Sequence, residues 1–298
     1  MPQTYLAQLN HFADFLLAYT HTLLCLRGLY PRTSFVRARF HNTPVFQSRH
    51  PSVCQWVRDA IAAVHTELLA GTVARIGIVI YWYGGVEQGG SAKILERFML
   101  DVSRFPVVDK EERNMQIDWA KSATPGFSDE EGGNRTAESK GKRKALASDA
   151  EWETNAGANA DAGARAELEA DVDMSEQFRA ALVMLNSRCS RLKPLPKNCS
   201  FNVCMELKDE AEIDPPIGHP QPWIPAQSSL QKTGRKGAEV DEQTKVRRET
   251  EGHDLGGAKV TPIRTVEAGV LRFETWIEEG KAKFELDTMP SSGSTGDG

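Results

Sequence analysis

The chain has 298 residues, with 41 acidic and 36 basic side chains and a formal net charge of -5. No run approaches the roughly 20 apolar residues of a membrane-spanning helix, and residues 1–10 lack the basic and apolar blocks of a secretory signal. Five cysteines, odd in number and set in apolar segments, argue against a disulfide framework and for a reducing compartment.

Taken in chain order, Leu6–Arg27 carries Leu9, Phe12, Leu16, Tyr19, Leu23 and Leu26 at helical spacing, and Gly28 is a natural stop. The helix is apolar over most of its girth, which predicts burial at the domain centre. His21 and Cys25 lie four apart on it. With no carboxylate to orient them, they read as core residues rather than a nucleophile pair. A second helix starts at Pro51, with Val53, Val57, Ala60, Ile61, Val64 and Leu68 as its stripe and Gly71 at its end. Val73–Trp82 is a β-branched run. In Ala92–Val102, Ile94, Phe98, Leu100 and Val102 fall on one face and Lys93, Arg97 and Asp101 on the other. These two strands are expected to form a hairpin. Gly84–Gly90 between them is rich in glycine but lacks the Lys-Ser/Thr of a phosphate-binding loop.

Val107–Asp173 holds 16 acidic and 9 basic residues, so its -7 exceeds the net charge of the whole chain. It has too few large apolar residues to offset ordering entropy and reads as a disordered insert. Its basic cluster, Lys140 to Lys144, fits a nuclear localisation signal. Ser175–Leu192 returns to helical periodicity. Cys199–Leu207 alternates, with Cys199, Phe201, Val203, Met205 and Leu207 on one face. Asp214–Pro225 contains five prolines, and Ser228–Ala258 is polar and reads as a second insert. Glu267–Glu279 is a strand candidate, with Lys281–Leu286 as its hairpin partner. Pro290–Gly298 is a Gly/Ser tail. Helices and strands do not alternate as βαβ units, so one α+β domain with two expanded loops is expected. No residue set proposes catalysis, a metal centre or a cofactor: Cys199 and Cys204 are five apart on a strand and fall on opposite faces.

Several stretches in order resemble the HORMA-domain family, and within it the accessory subunits of translesion polymerases. They are Leu23 to Pro31, Thr43-Pro44-Val45, His50 to Val53 with Gln55 to Asp59, Asn198 to Val203, Gln221 to Ile224, Thr261 to Thr265 and Glu274 to Glu279. The resemblance implies a central antiparallel sheet backed by three helices and a C-terminal safety belt. Here the core would be residues 1–213, the belt 214–287 and the tail 288–298. It also implies a non-catalytic adaptor in DNA damage tolerance, located in the nucleus. The belt would close over an extended, proline-containing peptide of the catalytic subunit of DNA polymerase zeta. A spindle-checkpoint adaptor trapping a different peptide is the alternative within the family.

By the same resemblance, Trp56, Trp223 and Ile224 match positions against the bound peptide. The family's tyrosine near His41 is missing, and Phe40 is the candidate to replace it. Ile263, Glu274 and Trp276 match contacts to the C-terminal domain of a scaffold translesion polymerase, where the family more usually has Leu, Gln and Tyr. Arg179 matches a HORMA–HORMA dimer contact. Strand alternation adds an independent expectation. With Leu271, Phe273, Thr275 and Ile277 inward, Glu274 and Trp276 point outward, and Trp276 is expected on an exposed surface. Direct DNA binding is disfavoured, because the charge outside the inserts is only weakly positive.

Overall fold

The computed structural model describes residues 4–83, 92–117, 174–208 and 259–288. Helix α1 (Tyr5–Leu26) is capped by Thr4, whose Oγ1 accepts from the Ala7 amide at 3.2 Å. Its Leu9, Phe12, Phe15, Leu16, Tyr19, Leu23 and Leu24 are at most 1 % exposed, so α1 runs through the core as its apolar girth predicted. Phe12 and Phe15 centre an aromatic cluster. Phe15 stacks on Phe178 at 4.7 Å, and Phe12 meets Phe273 and Phe105 edge-on, each at 5.0 Å.

Strands β1 (Phe35–Phe40) and β2 (Thr43–Ser48) form a separate antiparallel hairpin, an element the periodicity reading passed over. Its two-residue turn places both His41 and Asn42 at positive φ, the backbone a tight right-twisted hairpin requires. Helix α2 (Pro51–Ala70) begins at its proline, ends at Gly71, and buries Val57, Ile61, Val64 and Leu68. Strands β3 (Val73–Tyr83) and β4 (Ala92–Asp101) pair antiparallel, as expected. Helix α3 spans 174–189 and buries Met174, Phe178, Ala181, Leu182, Leu185 and Cys189. Then follow β5 (Cys199–Leu207), β6 (Lys259–Ala268), β7 (Leu271–Glu279) and α4 (Lys281–Thr288). The five-stranded sheet has the order β5-β3-β4-β7-β6, antiparallel throughout. The core with α1, α2 and α3 fills one of its faces, which makes the molecule α+β.

Four expectations are corrected. The partner of β7 is β6, before it, not Lys281–Leu286 after it; that stretch is helix α4. The candidate strand at Glu267 in fact contains the turn, because Gly269 takes φ +63, which a glycine adopts without strain. Ile94 does not share a face with Phe98. The β3–β4 register shifts between Ile80 and Tyr81, and that bulge turns Ile94 to the other face beside Val79. Residues 107–117 are not loose chain. The Leu6 amide donates to the Arg113 carbonyl at 3.0 Å, and the Arg113 guanidinium donates to the carbonyls of Leu69 and Val108. Arg113 thereby satisfies an orphan carbonyl at the end of α2. The rest of the expected first insert, the second insert and the tail lie outside the described residues.

Candidate functional site

The alternation in β5 puts Val203 in the core and packs Cys199, Phe201 and Met205 against it from the same side. Among the described residues β5 has a single strand neighbour, β3, so its other edge carries backbone donors and acceptors with no strand to take them. Trp56 stands beside this edge. It is one residue, about 100° of helical rotation, from the inward-facing Val57, and so lies on the shoulder of α2 rather than in its stripe. Its indole meets the Phe201 ring edge-on, with centroids 5.0 Å apart and an interplanar angle of 83°, and remains 42 % exposed. Tyr30, from the turn after α1, also stands edge-on to Phe201 at 6.4 Å. Burial raises the Tyr30 phenol above its ordinary pKa, with Tyr81 adding to the effect, which keeps it a neutral hydroxyl. The result is an open strand edge flanked by a partly exposed aromatic group. It can add an extended peptide as a sixth strand and offer a flat apolar face to one of its side chains.

The other expected peptide contacts are placed elsewhere. Phe40 and His41 sit together at the tip of the β1–β2 hairpin, with ring centroids 4.3 Å apart. There His41 lies over His11 of α1 and near Phe178 of α3. A shallow groove between α1 and this hairpin is lined by Asp14, Leu17, His21, Phe40, Val45 and Phe46. Trp223 and Ile224 lie outside the described residues. Sequence reasoning missed Tyr30 and Phe201 as neighbours of Trp56. Alternation gave the face of Phe201, but only the tertiary fold brings α2 and the exit of α1 alongside it.

The expected scaffold-binding surface is corrected. Trp276 does face away from the helix-packed core, but it is only 2 % exposed. It lies across from Met99 on β4 and Pro262 on β6, and its Nε1 donates to Glu278 Oε1 at 2.8 Å. Burial pushes the Glu278 carboxyl above its ordinary pKa, against the opposing effects of the Trp276 bond and of Arg97. Ile263 is buried in the main core, because the register shifts between Pro262 and Arg264. Glu274 alone of the three is partly exposed, so they do not make an exposed patch. Arg179 is on the surface of α3, paired with Glu176 at 3.1 Å. His21 and Cys25 are both buried. Among the described residues no group of three His, Cys, Asp or Glu side chains is arranged to hold a metal ion, and no helix is long and apolar enough to cross a membrane.

No family model matches the sequence. Over 97 residues the chain is 32 % identical to the DNA polymerase zeta processivity subunit of Schizosaccharomyces pombe. That stretch is 33 % of this chain and 42 % of the relative, so the match spans less than half the relative's length. Among solved structures, a chain of the mitotic checkpoint complex superposes with a TM-score of 0.51 at 12 % identity, covering 91 % of this chain and 97 % of that one. C. elegans HTP-2 bound to the HIM-3 closure motif aligns more loosely, with a TM-score of 0.48 at 10 % identity over 94 % of this chain and 92 % of that one. The antiparallel sheet with helices on one face is thus the HORMA fold, and the sequence carrying it resembles the accessory subunit of DNA polymerase zeta.

Proposed function

We propose that the chain is a non-catalytic adaptor that captures an extended peptide along the open edge of β5. The observation that carries this reading is the edge itself, flanked by the partly exposed Trp56 against Phe201. Backbone pairing to β5 supplies affinity for any extended segment, and the aromatic flank supplies selectivity. A proline ring packs well on such a face, because it is rigid and exposes no N–H. The likeness to a polymerase zeta subunit supports a specific partner, a proline-containing segment of that polymerase's catalytic subunit. The likeness to a mitotic checkpoint structure is one of fold and favours no partner.

In this reading the protein works in the nucleus in translesion synthesis. Residues 214–287 form the segment that closes over the peptide, ending in β6, β7 and α4. Trp223 and Ile224 act from that segment, Arg179 supports a dimer contact, and Glu274 marks the hairpin side for the scaffold polymerase.

Calorimetry on the full chain with a synthetic proline-containing peptide from the catalytic subunit tests the reading. Wild type is expected to bind. Trp56→Ala is expected to weaken binding by about 1–2 kcal/mol while changing stability by less than about 1 kcal/mol, as befits a partly exposed side chain. Absence of binding by wild type, or full affinity in Trp56→Ala, removes the proposed site.

A further inference from the structure

Averaged over the chain outside the inserts, the charge is only weakly positive, which speaks against nucleic acid. The positive charge is not spread evenly. Residues 15–58 contain six arginines and no aspartate, glutamate or lysine. Of the six, Arg27 is buried against Glu96, and Arg58 donates to Gln55 on its own helix. The other four, Arg32, Arg37, Arg39 and Arg49, are all exposed, and all belong to the β1–β2 ribbon or to the chain at its base. Among the described residues none of these four is in an ion pair.

The ribbon gathers them. Residues directly opposite in an antiparallel pair point the same way, and the register sets Arg37 against Phe46 and Arg39 against Pro44. Ala38 and Val45, one step along, point the other way, into the groove over α1. Arg32, from the single helical turn Arg32–Ser34 before β1, reaches over the Arg37 face. Its guanidinium carbon lies 5.0 Å from the centre of the Phe46 ring, a cation–π contact that holds it there. Arg49 follows β2, and its amide donates to the Ser34 carbonyl at 2.8 Å, which ties it to the turn that carries Arg32. Asp14 of α1 lines the groove and makes no ion pair with any of the four.

Spacing and relief bear on what this face can hold. Arg37 and Arg39 are two residues apart on a strand, about 6.7 Å, which is two steps of the roughly 3.4 Å by which phosphates advance along one strand of a duplex. A peptide is told from other anions by pockets for its side chains, and this face offers only Pro44 and a Phe46 ring already covered by Arg32. A row of guanidinium groups with so little apolar relief suits a polymer whose backbone carries the charge. Each planar fork can meet two phosphate oxygens at once.

We infer that the outer face of the β1–β2 ribbon binds the phosphodiester backbone of nucleic acid, without reading its sequence. The inference does not rest on peptide capture at β5.

Fluorescence anisotropy of the full chain with a labelled DNA oligonucleotide, single-stranded and as a duplex, tests it. Both are expected to bind at low salt. With four arginines engaged, the logarithm of affinity is expected to fall against that of salt with a slope of about -3.6 on the duplex and about -2.8 on the single strand. Arg37→Ala/Arg39→Ala is expected to weaken binding roughly tenfold or more and to remove about half of that slope. Its melting temperature is expected to stay at the wild-type value, because both side chains are exposed. Arg32→Gln/Arg49→Gln, at the base of the ribbon, is expected to act alike. Replacing Lys140, Lys142, Arg143 and Lys144 together by serine is expected to leave binding in place, which separates the ribbon from that other basic cluster. The inference is overturned if wild type does not bind, if both arginine variants bind as wild type does, or if binding leaves with the Lys140–Lys144 cluster. It is equally overturned if an acidic peptide of the same net charge displaces the labelled DNA as well as unlabelled DNA does.

Discussion

At the scale of single residues, Trp276 separates what strand alternation determines from what it leaves open. Alternation fixes the direction of a side chain but says nothing of whether that side of the sheet is covered. The indole points where the pattern places it and is nevertheless buried beside Met99, with its N–H committed to Glu278. Trp276→Ala is therefore expected to cost about 3–5 kcal/mol in a denaturant titration, the range for a deleted buried aromatic. A loss under about 1 kcal/mol would return it to the surface. Two histidines give a pH signature. Burial holds the His21 and His65 imidazoles below the ordinary histidine value of 6.5, with the Arg58 guanidinium adding to the effect at His21. On acidification the unfolded chain takes up these protons before the folded one does. Stability is then full above pH 6.5 and falls as pH drops through it toward the folded values. Urea midpoints at about pH 7.5 and about pH 5.5 should show the decline, and His21→Gln/His65→Gln should flatten it.

Among elements, those with a strong period were legible and those defined by turns were not. The first two helices end within a residue of their expected limits, and β5 matches its expected span. The β1–β2 hairpin was missed because its turn is His41-Asn42, not the Asn-Gly or Asp-Gly pair that announces such a bend. The β6–β7 turn was hidden inside a run of good strand formers, with Gly269 its only sign. Composition set the start of the first insert too early. An average over Val107–Asp173 could not register that Arg113 caps α2 and that its carbonyl receives the Leu6 amide. The difference is testable by replacing chain with a flexible Gly/Ser linker. Exchange of residues 118–173 is expected to leave the melting temperature within a few degrees. Starting the replacement at 107 is expected to cost about 1–3 kcal/mol, from the lost hydrogen bonds and the uncapped helix end. Equal melting temperatures for the two would mean that residues 107–117 contribute nothing.

For the whole molecule, sequence pattern carried the fold class, and the ordered resemblance carried the kind of activity to expect. The site was only partly legible. Trp56 was singled out through the family resemblance and not by the helix period, whereas its pairing with Phe201 joins positions 145 apart and exists only once the fold brings α2 beside β5. A captured peptide that binds only the folded state should stabilise it by mass action, by about 2.7 kcal/mol at a hundredfold excess over Kd. A melting temperature that does not move with peptide concentration would count against binding to the native state. The two rims of the sheet differ in one further way. On β6, Pro262 withholds an amide hydrogen and the register breaks beside it, features that discourage another chain from adding there. β5 contains no proline over its nine residues. The rim suited to a partner is therefore also the one undefended against its own kind. Produced alone at high concentration, the protein should tend toward edge-to-edge association and precipitation, and production together with its ligand should relieve this, so that solubility itself becomes a readout of occupancy.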